Sequence, residues 1–184
     1  IKESYDSTTN RKISSIKNKK RSILAYFVEG VCTVCDLINE DGFQPNEEGV
    51  YEISTPQGLY YFAHRVCTRP SREVFKARLT ADIDYTKFNS MIGGRGDEQN
   101  FAGEFDGQGH TVTINLTEPN NCPHADCALF GGINNATIKN LILEGTINSP
   151  QKYAAALVGH AWGTNYIENV ISNVNIISTV NGDA

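Results

Sequence analysis

Three carboxylates and a histidine between residues 82 and 110 are of the residue types that acid–base chemistry on sugars requires. Asp82 and Asp84 alternate along one predicted strand, and Asp106 and His110 lie in the Gly-rich stretch "FDGQGHT" (105–111). Glycoside hydrolysis needs two carboxylates roughly 5–9.5 Å apart across a groove. Elimination needs a basic group beside a Ca²⁺ ion held by acidic oxygens. The later part of the chain has few acids, so we predict a protein that is not an enzyme and has no catalytic residues.

The stretch 105–111 also has the composition of a phosphate-binding loop. A phosphate cradle requires a strand before it and a helix after it, so that the amides of the helix start face the anion. Here "TVTINL" (111–116) follows, and it alternates as a strand does. We therefore predict a structural turn around Gly107 and Gly109, with His110 packed beside the first full coil, and no cofactor.

Aromatic residues in the last third of the chain could bind a sugar. Tyr153, Trp162 and Tyr166 fall within fourteen residues, near the predicted turns of "YAAALVGHAWGTNY". Aromatic rings stack on the apolar faces of sugars when they are exposed on one flank of a protein. We predict these three residues as ligand contacts, and burial in the core remains the alternative.

The cysteines admit several pairings. There are five of them, an odd number, so at least one has no intramolecular partner. In an exported protein Cys122 could pair with Cys127, or Cys32 with Cys35, but the sequence does not determine the connectivity. The pair at 32 and 35 could also be half of a four-ligand zinc site, with the other ligands drawn from Cys122, His124 and Cys127. Because no second Cys-x-x-Cys occurs, we predict no metal.

Charge and hydropathy limit the partners. Residues 1–22 carry seven basic and two acidic residues, a net charge of +5. The net charge of the whole chain is −5, so the remaining residues carry a net charge of −10. The basic segment lacks the aromatic cluster on which bases stack, so we predict no nucleic-acid binding. No apolar run approaches the ~18 residues of a membrane span, so we predict no membrane insertion. The tripeptide Arg95-Gly96-Asp97 matches an integrin ligand, but so short a match is common by chance.

One helix and two strands are predicted between residues 50 and 84. "VYEIST" (50–55) and "KARLTADID" (76–84) alternate apolar and polar residues, as half-buried strands do. In "TPQGLYYFAHRV" (55–66), Thr55 is a favoured N-cap and Pro56 suits the first helical position. The helical spacing places four apolar residues on one stripe: Leu59, Phe62, Ala63 and Val66.

The second half of the chain repeats itself. "CALFGGI" has a counterpart 28 residues later in "AALVGHA", and "TIKNLIL" has one 29 residues later in "YIENVIS". A repeat of this length with strand-rich segments is typical of stacked coils. Gly and Asn tolerate the left-handed conformations that sharp turns need, and Asn can also hydrogen-bond along a stack. The positions that define the repeat are Gly107, Gly109, Leu129, Gly131, Asn140, Leu157, Gly159 and Asn169.

These segments, in this order over residues 50–177, resemble bacterial surface proteins with GLUG motifs. "LFGG" and "LVGH" occupy the GLUG positions, with Ala128 and Ala156 where the first Gly is usual. The resemblance implies a right-handed parallel β-helix and an exported protein that acts as a surface stalk, adhesin or binding platform. It supplies no catalytic motif.

We therefore predict an all-β chain: a right-handed parallel β-helix of three to four coils, whose N-terminal end is capped by the helix. The expected divisions are a basic arm (1–22), a connector containing Cys-x-x-Cys (23–49), a strand with the capping helix (50–75) and the repeats (76–184). The expected function is that of a secreted or cell-surface structural or adhesin module, with a glycan or a neighbouring cell surface as its partner. Two alternatives remain: a self-assembling filament or surface-layer subunit, and a fragment of a carbohydrate-active enzyme.

Overall fold

A computed structural model describes most of the backbone of the chain, and it describes side chains from residue 27 onward. The described residues are 2–6, 11–18, 21–33, 35–39, 41–69, 73–96, 98–119, 121–122 and 126–179.

The first four strands form an antiparallel sheet. They are β1 (Lys2–Asp6), β2 (Arg11–Asn18), β3 (Arg21–Val28) and β4 (Val31–Cys32), paired in chain order. A turn at Glu29 and Gly30, both with positive φ, reverses the chain between β3 and β4. Two of these strands lie within the predicted basic arm, and the domain boundaries themselves remain predictions.

A larger parallel sheet contains most of the remaining strands. These are β5 (Val50–Ile53), β6 (Phe75–Leu79), β7 (Ile83–Asp84), β8 (Phe101–Asp106), β9 (Thr111–Leu116), β11 (Phe130–Ser149), β13 (Val158–Trp162) and β14 (Tyr166–Ser178). Its main path runs β5-β6-β8-β11-β9-β7, and β13 and β14 also pair with β11. The short strands β10 (Asp126–Cys127) and β12 (Tyr153–Ala154) form a separate parallel pair. The chain is thus mostly β.

The predicted β-helix of three to four coils is wrong, because the strands form one curled parallel sheet, a half-barrel. The reason lies in β11, which runs without a break for 20 residues. Its first half pairs with β8 and its second half pairs with β9. In a β-helix these two pairings would belong to different faces of a coil, whereas here a single strand makes both. Asn140 and Gly145 have positive φ inside β11, and Asn169 has it inside β14. Left-handed residues therefore bend continuous strands here instead of ending them.

The predicted spacing of the repeat is nevertheless confirmed in the backbone register. Phe130 pairs with Val158, 28 residues later, and its N–H donates to the carbonyl of Leu157 at 2.8 Å. The side chain of Asn169 donates from Nδ2 to Oδ1 of Asn140 at 3.1 Å, which confirms the expected hydrogen bond between repeats. The spacing follows from the length of chain needed to return to a neighbouring parallel strand.

The predicted strand 76–84 is two strands. Its first part is β6, which lies beside β8, and its last part is β7, which lies beside β9. Ala77, Leu79 and Ile83 are all buried, so the alternation continues across the bend at residues 80–82. Alternation alone could not reveal the bend for that reason.

The helix α1 (Pro56–Thr68) is confirmed, including its N-cap. The Thr55 hydroxyl accepts from the N–H of Gly58 at 3.1 Å, and Pro56 opens the helix. The Glu29 carboxylate accepts from the Thr55 hydroxyl at 2.8 Å, which places a negative group at the positive end of the helix dipole. Within the described ranges, the structure contains no helix that is long and apolar enough to cross a membrane.

The helix does not act as the predicted cap of a coil stack. The ring of Phe62 lies 5.7 Å from that of Phe75, 6.1 Å from that of Phe101 and 6.2 Å from that of Phe105. The apolar stripe of α1 is therefore part of one core with the buried face of β6 and β8. A curled sheet has an inner face to fill, and aromatic side chains supply the required volume.

Candidate functional site

An aromatic cluster lies where β12 and β13 meet. His160 and Trp162 are two residues apart in β13 and therefore project from the same face. Their rings are stacked, with centroids 5.4 Å apart and planes 16° apart. Tyr153 in β12 meets His160 edge-on at 4.1 Å. All three side chains are half-buried, so part of each ring remains accessible to a ligand.

A buried carboxylate fixes the histidine in this cluster. Oδ1 of Asp126, whose side chain is fully buried, lies 2.9 Å from Nδ1 of His160. A carboxylate on one ring nitrogen sets the orientation of the imidazole. Gly159 makes the approach possible, since a Cβ there would lie 3.1 Å from Cβ of Asp126 and 2.8 Å from the carbonyl oxygen of Gly131. Gly131 and Gly159 were predicted as repeat-defining positions. In the structure Gly159 lies against both Gly131 and Asp126 and leaves room for the pair of Asp126 and His160.

Two cations border the tyrosine of the cluster. The guanidinium carbon of Arg95 lies 4.9 Å from the Tyr153 ring centroid, and Nζ of Lys152 lies 5.8 Å from it. Such distances place both cations within the range of cation–π attraction. Gly132 lets the loop that carries Arg95 lie close to β11, since a Cβ on this glycine would overlap the carbonyl of Gly94. The cluster therefore combines aromatic surface with a positive border.

Arg69 holds the other side of the loop that carries Arg95. Its buried guanidinium donates to the carbonyl of Glu98 at 2.7 Å, and also to the carbonyls of Glu73 and Asn100. Three backbone carbonyls are thus fixed by one side chain. The position of Arg95 depends on this anchoring as well as on the glycines beneath it.

The structure brings together two of the three predicted ligand-contact aromatics. Tyr153 and Trp162 both touch His160, whereas Tyr166 begins β14 and is 64% exposed, and no described ring contact joins it to the others. Asp126 and His160 were not predicted from the sequence. The repeat of about 28 residues could have placed Asp126 beside Tyr153, its partner in the β10–β12 pairing, but it gives no signal for the contact with His160.

The three candidate carboxylates Asp82, Asp84 and Asp106 each have hydrogen-bond partners within the fold. Asp82 accepts from the backbone N–H of Thr111 at 3.0 Å and lies 3.1 Å from Nδ1 of His110; these bonds lower the pKa of Asp82. The hydroxyl and N–H of Thr86 lower the pKa of Asp84 in the same way.

Asp106 lies at the predicted Gly-rich turn. Partial burial opposes its ionisation, but its pKa is lowered overall. The N–H of Gln108 donates to it at 2.9 Å and Nδ2 of Asn140 at 3.1 Å, and Nζ of Lys139 lies 3.6 Å away. Gln108 and Gly109 both have positive φ, so the predicted structural turn is confirmed.

The structure corrects the predicted disulfide. Cys122 is joined to Cys67, 55 residues earlier, and not to Cys127, which is buried as a thiol whose pKa is raised by burial. Cys67 lies in the last turn of α1, beside the loop that carries Cys122, so tertiary packing and not sequence proximity selects the pair. The sulfurs of Cys32 and Cys35 lie 3.1 Å apart, and the hydrogen bond to Cys32 raises the pKa of Cys35.

Two predictions extend beyond the described residues. His124 of the half-zinc hypothesis and Asp97 of the Arg-Gly-Asp tripeptide lie outside them. Arg95 of the tripeptide is exposed and takes part in the aromatic cluster. Within the described part of the chain, no group of three His, Cys, Asp or Glu side chains could hold a metal ion.

No protein family, curated protein or solved structure matches this chain. The resemblance to GLUG-motif proteins therefore remains a prediction, and the geometry of the site is the basis for a functional proposal.

Proposed function

We propose that this chain is a non-enzymatic module of an exported surface protein and that it binds a carbohydrate through the aromatic cluster. The observation that carries the proposal is the stacked pair of His160 and Trp162 with Tyr153 against its edge. Sugars present apolar C–H faces to aromatic rings, and a fixed, half-exposed set of rings loses little conformational entropy on binding. Asp126 supplies that fixation by holding His160.

The positive border suggests the class of sugar. Arg95 and Lys152 flank the Tyr153 ring. A carboxylate or sulfate on a glycan would find charge-assisted hydrogen bonds there. We therefore propose an acidic glycan, such as one that contains uronic acid, over a neutral one.

Export is proposed on two grounds. A disulfide between Cys67 and Cys122 is typical of oxidising environments outside the cytosol. The resemblance to GLUG-motif surface proteins implies the same location. A bacterial cell surface is the setting that fits both.

The carboxylates favour a binding role over a catalytic one. A general acid in glycoside hydrolysis needs a raised pKa so that it carries a proton near neutral pH. The pKa values of Asp82, Asp84 and Asp106 are all lowered, and each carboxylate is occupied by its own hydrogen bonds. The enzyme alternative would require acid–base groups other than these.

A glycan array followed by titration calorimetry tests the proposed function. We expect the wild-type chain to bind acidic glycans and Trp162→Ala to weaken that binding by about tenfold, as loss of an aromatic contact does. Tyr166→Ala is the matched control, because Tyr166 is an exposed aromatic residue outside the cluster. Absence of glycan binding, or equal weakening by both substitutions, would refute the proposal.

A further inference from the structure

A row of alternating charges crosses five neighbouring parallel strands. Glu52 pairs with Arg78, Arg78 with Asp106, Asp106 with Lys139 and Lys139 with Glu168. The side chains of Glu52 and Arg78 form an ion pair, and Lys139 lies 3.6 Å from Asp106. The signs thus run minus, plus, minus, plus, minus, and the last acid lies on β14.

A buried apolar row runs beside the charged one and ends without a cover. Its members lie one position earlier in each strand and are registered in the order Tyr51, Ala77, Phe105, Ile138 and Ile167. The first four are at most 6% exposed, whereas Ile167 is 50% exposed. A second row ends in the same way, since Leu116 and Ile147 are fully buried but Ile176 is 41% exposed.

β14 also has an open hydrogen-bonding edge. Among the described strands it pairs with β11 alone, although it is 13 residues long. A long edge strand with exposed apolar side chains is a template on which another strand can pair. The charged row and the apolar rows therefore all end at β14, and a further strand paired with its open edge would continue them.

We propose that β14 binds a strand of another polypeptide, in parallel, through this edge. The strand carries an apolar residue opposite Ile167, Lys or Arg opposite Glu168, and Asn or Asp opposite Asn169. The basic residue continues the alternation of charge, and the apolar residue covers the open row. The amide or carboxylate extends the line of hydrogen bonds that already joins Asp106, Asn140 and Asn169.

A second copy of this chain fits the edge poorly. In the register that continues the rows, β5 of the copy would place Glu52 opposite Glu168. Like charges directly opposite each other on neighbouring strands are destabilising. In addition, β5 has four residues, against the 13 of β14. The strand that fits this edge is therefore basic and amphipathic, which β5 of a second copy is not.

The chain itself supplies the probe. Residues 137–149, "TIKNLILEGTINS", already pair with all of β14 from its other side, with Lys139 opposite Glu168. A fluorescein-labelled peptide of this sequence is titrated with the full chain, and binding is measured by anisotropy. A second peptide contains Lys139→Glu. We expect the Lys peptide to bind the wild-type chain about tenfold more tightly than the Glu peptide.

The charge-reversed chain completes the test. Glu168→Lys is expected to reverse the preference, so that the Glu peptide becomes the tighter ligand. Glu144→Lys makes the same charge change on the neighbouring strand β11, away from the open edge, and is expected to retain the wild-type preference. Because the reversal is also made in the peptide, the test does not depend on the folding of any one variant.

Two kinds of result would overturn the proposal. One is failure of either peptide to bind, or equal binding of both by the wild-type chain. The other is a wild-type dimer in light scattering that is lost on Ile167→Asp, which would assign the edge to a second copy.

Discussion

At the scale of single residues, polar side chains in left-handed conformations hold the bends of the sheet. Asn140 and Asn169 have φ values of 53° and 52°, a region that costs most other residues energy. Each side chain also donates to a residue on or at the end of the neighbouring strand that precedes it in the chain, so that Asp106, Asn140 and Asn169 form a line. The same residues thus bend the strands and connect them.

The pH dependence of stability tests whether the ionised carboxylate of Asp106 stabilises the fold through these hydrogen bonds. Its pKa is lower in the folded chain than in the unfolded one. Its ionised form therefore stabilises the fold above the unfolded pKa of about 3.9, and that stabilisation is lost as the pH falls through the folded value. We expect Asp106→Asn to lower the free energy of unfolding by about 1 kcal/mol at pH 7.

Urea titrations of both chains at pH 7 and pH 3 make the measurement. The difference between wild type and variant is expected to be smaller at pH 3, because below the unfolded pKa the unfolded chain takes up a proton that the folded carboxylate resists. Asp41→Asn, at an exposed position, is the control for the effect of charge alone. A difference of equal size at both pH values would show that ionisation of Asp106 does not support the turn.

At the scale of elements, the disulfide joins the end of α1 to the loop that precedes β10. The Cα atoms of Cys67 and Cys122 lie 5.4 Å apart, and 55 residues separate them in the chain. Asn121, beside Cys122, donates from Nδ2 to the carbonyl of Met91 at 2.8 Å and accepts at Oδ1 from the N–H of the same residue. Covalent and hydrogen bonds therefore hold this loop against the core.

Removal of the bridge is expected to destabilise the chain. A crosslink that closes a loop of this length contributes about 2–4 kcal/mol, chiefly by restricting the unfolded chain. We expect the double variant Cys67→Ala, Cys122→Ala to lose this much in urea unfolding, and Cys35→Ser, at an exposed thiol, to lose almost nothing. Peptide mapping without reduction should recover the 67–122 link, and a 122–127 link would contradict it.

Local signals in the sequence predicted those elements that depend on local chemistry. Thr55, Pro56 and the apolar stripe identify α1 because capping and helical spacing involve residues close in the chain. The bends at Asn140 and Asn169 were predictable because few residues tolerate a positive φ.

Predictions that depended on distant residues failed or were missed. Nothing in the sequence near Cys122 indicates Cys67 as its partner, since the pairing depends on how α1 packs. The pair of Asp126 and His160 joins residues 34 positions apart. The spacing of the repeat was predicted correctly, but the β-helical coils inferred from it were wrong. Periodicity does not show whether a strand is continuous.

At the scale of the whole molecule, β11 is the centre of the parallel sheet. It pairs with β8 and β9 along one edge and with β13 and β14 along the other. Its apolar side chains Ile133, Ile138, Leu141, Leu143 and Ile147 are fully buried. The sheet has no other described strand with partners on both sides along so much of its length.

Hydrogen exchange should reveal this asymmetry. Amides of β11 are hydrogen-bonded within the sheet on both edges, whereas those of β14 that face its open edge are bonded to no described strand. We expect exchange by mass spectrometry to be at least about 100-fold slower across residues 133–147 than across residues 166–178. Equal protection of the two strands in a monomeric sample would contradict this arrangement of the sheet.

The central place of β11 also affects the order in which the strands can pair during synthesis. β8 and β9 precede it in the chain, and each leaves one edge that only β11 covers. A ribosome adds about 5–20 residues per second, so a few seconds separate the synthesis of β9 from that of the end of β11. During that interval β8 and β9 each have an edge whose backbone groups lack the pairing that β11 later supplies. We therefore expect the length of the segment from residue 117 to residue 129 to determine how long the emerging protein depends on chaperones that shield such edges.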